Sequence, residues 1–315
     1  MLSRVADSLY WIGRYAERTQ TNAHILYAQL EYMLESSRKD VMYDKEWVTV
    51  LKICGYLEDY QMYYQQGILE DMVHYLVYDS RNLDSLVATI TSVRMNARNT
   101  RDCMPNELWE EWNDLYLDIQ EGTYPEAFSL LNTTNFLTRI RKTTLTATGI
   151  IDSLMTRDIG YRFLKIGKWL ERSEKTALIL HHLLEVENEL EPDRAIRLGL
   201  QLTNTVEEYA YRSRVLTVDS VLKFLISDLK CSRSVAYGLH KIKDTVYDIE
   251  QGLTNQNVEN MYRALDELIA LTSVDVTALT LAEQKQWVKN IRQGCINFGP
   301  ILAQAYYLAP PIMAV

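Results

Sequence analysis

The chain has 315 residues, of which 47% are hydrophobic, and its 42 acidic against 33 basic side chains give a formal net charge of −9. A chain of this length buries roughly three quarters of its unfolded surface and needs no staple, and its acidic balance argues against bulk affinity for nucleic acid or acidic lipid. Cys54, Cys103, Cys231 and Cys295 form no Cys-x-x-Cys, so neither a zinc ribbon nor a disulfide framework is expected; with charges at Arg4 and Asp7 and no apolar run of membrane-spanning length, the expectation is a soluble cytoplasmic protein.

Only 12 glycines and 6 prolines interrupt the chain, and apolar residues recur at intervals of three and four, the period of an all-α, multi-helix bundle. The spacing predicts helices over 3–36, 44–54, 67–79, 83–103, 105–121, 125–156, 158–190, 192–215, 217–251, 257–273 and 280–308. In the first, Val5, Leu9, Ile12, Ala16, Thr19, Ala23, Leu26, Leu30 and Met33 form one 4-3-4-3 seam along about 50 Å of helix. Tyr56, Tyr60, Tyr63 and Tyr64 fall in a predicted connector and suit packing or a protein interface. Pro105, Pro125 and Pro192 precede Glu107, Glu126 and Asp193, the pattern of proline at a helix start followed by a carboxylate in the first turn. From Gly294 to Val315 there is no charged residue, and Gly299-Pro300 and Pro310-Pro311 break up any continuous span. This end is expected to cover its own bundle rather than a partner.

Ile12–Leu26 recurs 154 residues later as Ile166–Leu180, with seven of fifteen positions identical and Arg/Lys, Tyr/Trp, Thr/Ser and Gln/Glu exchanges at four more. This predicts an internal duplication, with pseudo-repeats 1–156 and 157–315 sharing one core in a single domain. Phe163, Ile166, Leu170, Ser173, Ala177, Leu180 and Leu184 repeat the seam. Both copies carry Gly-x-x-x-Glu-Arg: Gly13 with Glu17 and Arg18, Gly167 with Glu171 and Arg172. Each glycine lies one turn before its glutamate, where a missing side chain admits another helix or a ligand. Arg14 with Arg18, and Lys168 with Arg172, are like charges one turn apart, so an anion should lie near each pair. Interhelical salt bridges are the simpler source of it; a bound ligand is the functional one.

Arg94, Arg98 and Arg101 follow i, i+4, i+7, with Asn96 between them, and form one cationic stripe. Guanidinium groups bind carboxylate or phosphate through paired planar donors, so the stripe is either an anion cradle or a ladder of ion pairs to neighbouring helices. Trp109 and Asn113 follow one turn apart, as core residues or a pocket wall. Arg212 and Arg214 sit where a helix is predicted to end, and Cys231-Ser-Arg-Ser-Val235 presents Arg233 between two hydroxyls. The five histidines form no His-x-x-x-His, and no nucleophile elbow, Walker loop or dinucleotide fingerprint occurs. No metal site or intrinsic cofactor is therefore predicted. If the chain is catalytic by itself, Glu17 and Glu171 are the acid/base candidates: bulky neighbours such as Trp11 or Trp169 would raise a carboxyl pKa, while adjacent arginines would lower it.

These segments resemble the bacterial alpha-E family, an all-helical group of unknown function. Leu2–Arg18 matches its opening signature, Arg94–Arg98 with Arg101, Trp109 and Asn113 a second block, Phe163–Arg172 a third, and Ser232–Val235 a fourth. The chain departs from the family pattern at Ser232, where proline is usual, and at Lys168, where arginine is frequent. The resemblance implies a companion role, because members are encoded beside or fused to circularly permuted ATP-grasp proteins and transglutaminase-like peptidases. ATP and Mg would then belong to the partner ligase, and this chain would bind or present a carboxylate-bearing or peptide-like substrate in a cleft lined by Arg14, Arg18, Arg94, Asn96, Arg98, Arg101, Lys168, Arg172 and Arg233. The alternatives are an amide-bond enzyme using Glu17 or Glu171, and a scaffold in which every charged motif is an ion pair. Neither nucleic acid nor membrane is expected as a partner, and a homo-oligomer is left open.

Overall fold

The computed structural model describes residues 3–35, 42–64, 68–123, 129–186, 192–213, 215–251 and 255–306. Among them are fourteen α-helices and no strand. The chain divides into two compact units, residues 15–156 and residues 1–14 with 157–315, so the boundary falls inside α1 (Ser3–Glu35).

The smaller unit, 15–156, holds the rest of α1 followed by α2 (Met42–Cys54), α3 (Leu57–Tyr63), α4 (Leu69–Val77), α5 (Leu86–Asn99), α6 (Asn106–Gln120) and α7 (Leu130–Leu154). Its core includes Leu26, Leu30, Trp47, Leu51, Tyr75, Ile90, Trp112 and Phe136, all essentially inaccessible. The α3 segment, expected as a connector, is a helix because Glu58 and Asp59 occupy its first turn and favour the positive end. Its tyrosines pack: Tyr60 stacks on Tyr64 and meets Tyr75 edge-on. The helix expected from 83 starts at Leu86, since the Ser85 side chain accepts from the Ala88 N–H and caps it. After Asn99 the chain tightens into a 3₁₀ turn at Arg101–Cys103, ahead of Pro105, which disfavours α geometry in the residue before it. Pro105 is the cap of α6 rather than its first helical residue. Pro125 lies outside the described residues.

The larger unit, 1–14 with 157–315, holds the start of α1 with α8 (Ile159–Val186), α9 (Pro192–Leu202), α10 (Val206–Arg212), α11 (Val218–Leu222), α12 (Val235–Glu250), α13 (Gln256–Leu271) and α14 (Leu281–Tyr306). The long α8 packs on α12 and α14, and α14 on α13. The helix expected over 192–215 breaks after Leu202, where Asn204 adopts φ +58, a left-handed conformation that asparagine tolerates better than most residues. The helix expected over 217–251 breaks twice. Residues Lys223–Ser227 form a π-helical turn; the Asp228 carboxylate then accepts from the Lys230 and Cys231 N–H groups at 2.7 and 2.8 Å, and Ser234 caps α12. The α14 helix runs through Pro300 and buries Cys295, Phe298 and Leu302. Residues 307–315, with Pro310-Pro311, lie outside the described residues.

The seam of the second copy, Phe163 to Leu184, is buried throughout. What it packs around is a reciprocal backbone approach. A Cβ on Gly13 would stand 2.1 Å from the Leu164 carbonyl oxygen, and a Cβ on Gly167 would stand 2.1 Å from the Tyr10 carbonyl oxygen. Tyr10 lies three residues before Gly13 and Leu164 three before Gly167, so the two approaches are reciprocal, with only hydrogen at the crossing. A Cβ on Gly149, in α7, would meet nothing within 4 Å.

A Gly13→Ala substitution should therefore cost about 3 kcal/mol or more, because backbone rather than side chain must move. Gly149→Ala should be neutral or stabilise by about 0.5–1 kcal/mol. Urea unfolding followed by helical circular dichroism reads both.

In the smaller unit, the chain leaving α4 is tied by Asp79. Its carboxylate accepts from the Arg81 N–H at 2.9 Å, from the Arg81 guanidinium at 2.6 Å and from the Tyr64 hydroxyl at 2.8 Å. The Arg81 hydrogen bonds hold this carboxyl down at about 2, against an ordinary 3.8. Because the folded value is the lower one, its stabilisation is complete above about pH 4 and is lost as the pH falls through about 2. With Arg81 in solvent, the loss should be about 1 kcal/mol. Asp79→Asn should flatten this part of the acid-stability profile, read as urea midpoints between about pH 5 and pH 2.

Candidate functional site

Arg14 and the Glu171-Arg172 pair sit next to the glycine crossing of the larger unit. In the larger unit, the Arg14 Nε lies 2.7 Å from Glu171 Oε2, and its Nη2 donates to Glu174 Oε2 at 2.7 Å. Arg14 is 8% exposed and Glu171 1%, so carboxylates of α8 offset the charge of Arg14. This is the interhelical ion pair that the sequence allowed. A carboxylate so enclosed, with an arginine already on it, is poorly placed to exchange protons with a substrate. Burial pushes the neighbouring Cys295 thiol well above its ordinary range, with Glu174 adding to the effect. It pushes Cys231 up to about 11, and neither sulfur is a ready nucleophile.

The arginine of each Glu-Arg unit has a second task, and both units carry it out alike. In the smaller unit Arg18 Nη1 donates to Asp84 Oδ1 at 2.6 Å, and Asn22, one turn on, donates to the Asp84 carbonyl at 3.1 Å. In the larger unit Arg172 Nη1 donates to the Ser232 carbonyl at 3.3 Å, and Thr176, one turn on, donates to the Arg233 carbonyl at 2.9 Å. Asp84 and Arg233 each directly precede a capping serine, Ser85 of α5 and Ser234 of α12. The seam hydroxyls follow suit: Thr19 donates to Thr89 Oγ1 on α5 at 2.9 Å, and Ser173 to the Val235 carbonyl on α12 at 3.4 Å. Thus Arg18 and Arg172 fix the entry of the next packed helix. Where the first loop answers its arginine with the Asp84 carboxylate, the second answers with the Ser232 carbonyl and carries Arg233 at the equivalent place.

The arginine stripe behaves differently. Arg94 lies over the Tyr116 ring at 4.5 Å and near Trp109 at 5.7 Å, and its Nε donates to Asn113 Oδ1 at 3.2 Å. Arg101 lies over the other part of the platform, 5.4 Å from Trp109, and donates to Asn106 Oδ1 at 3.1 Å. Arg98, between them, is exposed. Among the described residues none of the three forms an ion pair, so the ladder of carboxylates offered by the sequence does not form. Aromatic faces hold a guanidinium by its plane and leave N–H edges for a ligand. The platform exists because α6 packs on both α5 and α7 and buries Leu108, Trp112 and Leu115, which leaves Trp109, Asn113 and Tyr116 on the flank that meets Arg94 and Arg101.

Of the sequence-predicted residues, Arg14 and Glu171 meet, Arg172 meets the Arg233 loop through main chain, and Arg94 and Arg101 share Trp109. Lys168 stands 5.5 Å from the Trp169 ring. Asn96 donates to the Ser92 carbonyl of its own helix at 2.9 Å. Glu17 is 2% exposed. Arg212 bridges Glu208 and Asp228, while Arg214 lies outside the described residues. The sequence missed Asp84, Asn22, Glu174 and Tyr116. Asp84 was findable, since an aspartate before a Ser-x-x-x-Thr helix start is a loop signal; Tyr116 and Glu174 reach the site only through packing.

The model of a family described as a predicted alpha-helical domain with a conserved ER motif, Alpha-E, matches residues 1–307. The chain belongs to the Alpha-E family. In this Alpha-E chain the Glu-Arg dipeptide occurs at 17–18 and 171–172. Among curated relatives, uncharacterized proteins of Mycobacterium bovis and of two strains of Mycobacterium tuberculosis are each 24% identical over 277 residues, 82% of this chain and 31% of theirs. The chain therefore spans about a third of the length of these relatives. No solved structure matches it. No described helix is long and apolar enough to cross a membrane.

Glu171→Gln in this Alpha-E chain strands part of the Arg14 charge in the interior. Stability should fall by about 2 kcal/mol or more, somewhat less than the roughly 3–5 kcal/mol of a fully broken buried pair because Glu174 keeps its contact. The denaturation midpoint measures it, and an unchanged midpoint would remove the ion pair from the account of this crossing.

Proposed function

We propose that the chain is a helical companion subunit that reads an anionic, carboxylate-bearing or peptide-like ligand through Arg94, Arg98 and Arg101. The observation that carries this reading is the lack of ion pairs, among the described residues, on all three arginines in a protein with a large acidic excess. Two are oriented by Trp109 and Tyr116, and the exposed Arg98 completes a row of planar donors. The chemistry would be supplied by an ATP-dependent ligase of the circularly permuted ATP-grasp type, which would hold ATP and Mg, with a transglutaminase-like peptidase as a further partner. Supporting that arrangement are the family resemblance and the large part of each curated relative that lies beyond the matched region. A second reading has its own support in the larger unit. Arg14, Glu171 and Arg172 are engaged in an ion pair and a loop contact, so they are scaffold there, and the acid/base role for Glu171 loses ground.

Binding of a short glutamate-rich peptide to the purified chain, followed by indole fluorescence, tests the ligand half. Arg98→Ala should weaken it by about 10-fold or more, the loss expected for a charge-assisted contact, with helicity unchanged and with affinity falling as salt is added. Equal affinity of wild type and variant would sink the assignment of this face.

A further inference from the structure

Near the end of α8, His181, His182 and Glu185 lie on one helical turn. His181 Nε2 is 3.4 Å from Glu185 Oε1, and His182 Nδ1 is 3.1 Å from Glu185 Oε2. One donor atom from each residue lies within 4.8 Å of the other two. The helix itself sets this spacing: Glu185 is i+4 from one imidazole and i+3 from the other, the two offsets at which side chains share a face. The imidazoles are 16% and 13% exposed and the carboxylate 47%, so the donors are held by packing on one side and open to solvent on the other.

The duplication read from the sequence supplies an internal comparison. At the offset of 154, His181, His182 and Glu185 correspond to Tyr27, Ala28 and Glu31. There the Tyr27 hydroxyl donates to Glu31 Oε1 at 2.9 Å, so the same helical position makes a contact of the same spacing with a phenol. A long helix of this kind does not need two imidazoles at that turn, and their presence in the second copy calls for another explanation.

We propose that His181, His182 and Glu185 bind a divalent transition-metal ion, with zinc as the representative, leaving at least one coordination position to water. Two imidazoles and one carboxylate suit borderline ions and disfavour calcium or magnesium, which take oxygen donors. A tetrahedral ion with ligands at about 2.0–2.2 Å needs donor atoms roughly 3.3–3.6 Å apart; the two imidazoles contact different oxygens of Glu185, and side-chain rotation that draws one donor atom of each residue from within 4.8 Å to that spacing completes the set. Arg292 of α14 acts on the same cluster with positive charge. One carboxylate offsets one charge of the ion, and Arg292 opposes it, so a micromolar rather than nanomolar site is expected. This site lies in the larger unit and uses none of the arginines assigned to the anionic ligand.

Zinc titration of the full chain by isothermal calorimetry tests the proposal, in a Cys103→Ser background because Cys103 is the exposed thiol. About one zinc per chain should bind with a dissociation constant in the micromolar range. The double substitution His181→Tyr with His182→Ala, which installs the residues of the first copy, should weaken binding by at least about 10-fold. Cobalt added to the parent should give the visible absorption of a low-symmetry site, absent from the double variant. Should the double variant lose helicity, Glu185→Gln serves instead, since it keeps size and removes the charge. Zinc affinity unaltered by these substitutions, or no saturable binding by the parent up to about millimolar zinc, would overturn the site, whatever the peptide titration gives.

Discussion

The larger unit depends on two helices meeting at bare backbone. Gly13 and Gly167 each face the carbonyl oxygen three residues before the other, at a spacing that no side chain larger than hydrogen permits. Such an approach puts Cα–H groups against carbonyl oxygens, a weak attraction by itself. Its importance is what it makes close: Arg14 then reaches across to Glu171 and Glu174, and the seam from Phe163 to Leu184 is sealed. A buried ion pair contributes little net stability over an apolar pair of equal shape, yet it is costly to mismatch. At this crossing it selects register, because a slip of one residue would separate glycine from carbonyl and arginine from glutamate together.

The arginines of the two Glu-Arg pairs do the same work, each within its own unit. Arg18 and Arg172 reach the loop just before a capping serine, and a residue one turn later binds the carbonyl of that loop. A helix start leaves N–H groups unsatisfied, and a serine cap meets that need only if the chain enters at the correct angle. A guanidinium on the entry loop fixes that angle. The family description singles out an ER motif, and in this chain a structural duty for its arginine follows directly from these contacts. The stripe on α5 makes the opposite use of the same side chain. The guanidinium planes of Arg94 and Arg101 rest on Trp109 and Tyr116, and no carboxylate among the described residues pairs with them.

How much of this was legible depends on whether the signal was local. Helical period, the seam of α8 and the all-α class are properties of consecutive residues, and they stand as read. The interruptions were less visible. Asn204 and Asp228 break helices because their short polar side chains satisfy neighbouring backbone or tolerate a left-handed turn, and the apolar spacing on either side hides the break. In α3, two acidic residues at a helix start were outweighed by a cluster of tyrosines that read as a connector. The candidate site was half legible. The arginine stripe follows from i, i+4, i+7 spacing, and Trp109 and Asn113 were offered as a pocket wall or as core; which of these they are, and the part played by Tyr116, depend on how α6 is rotated about its axis.

The sequence by itself determined that the chain is helical, which faces are apolar, where two glycines recur and which residues carry charge, because each of these is set within one or two turns. Tertiary structure alone decided which charges cancel. Arg14 found carboxylates, Arg172 a carbonyl, and Arg94 and Arg101 aromatic rings. Each outcome depends on helix rotation and separation to within an ångström or two, over which a guanidinium passes from ion-paired to open, and no pattern along the chain encodes that distance.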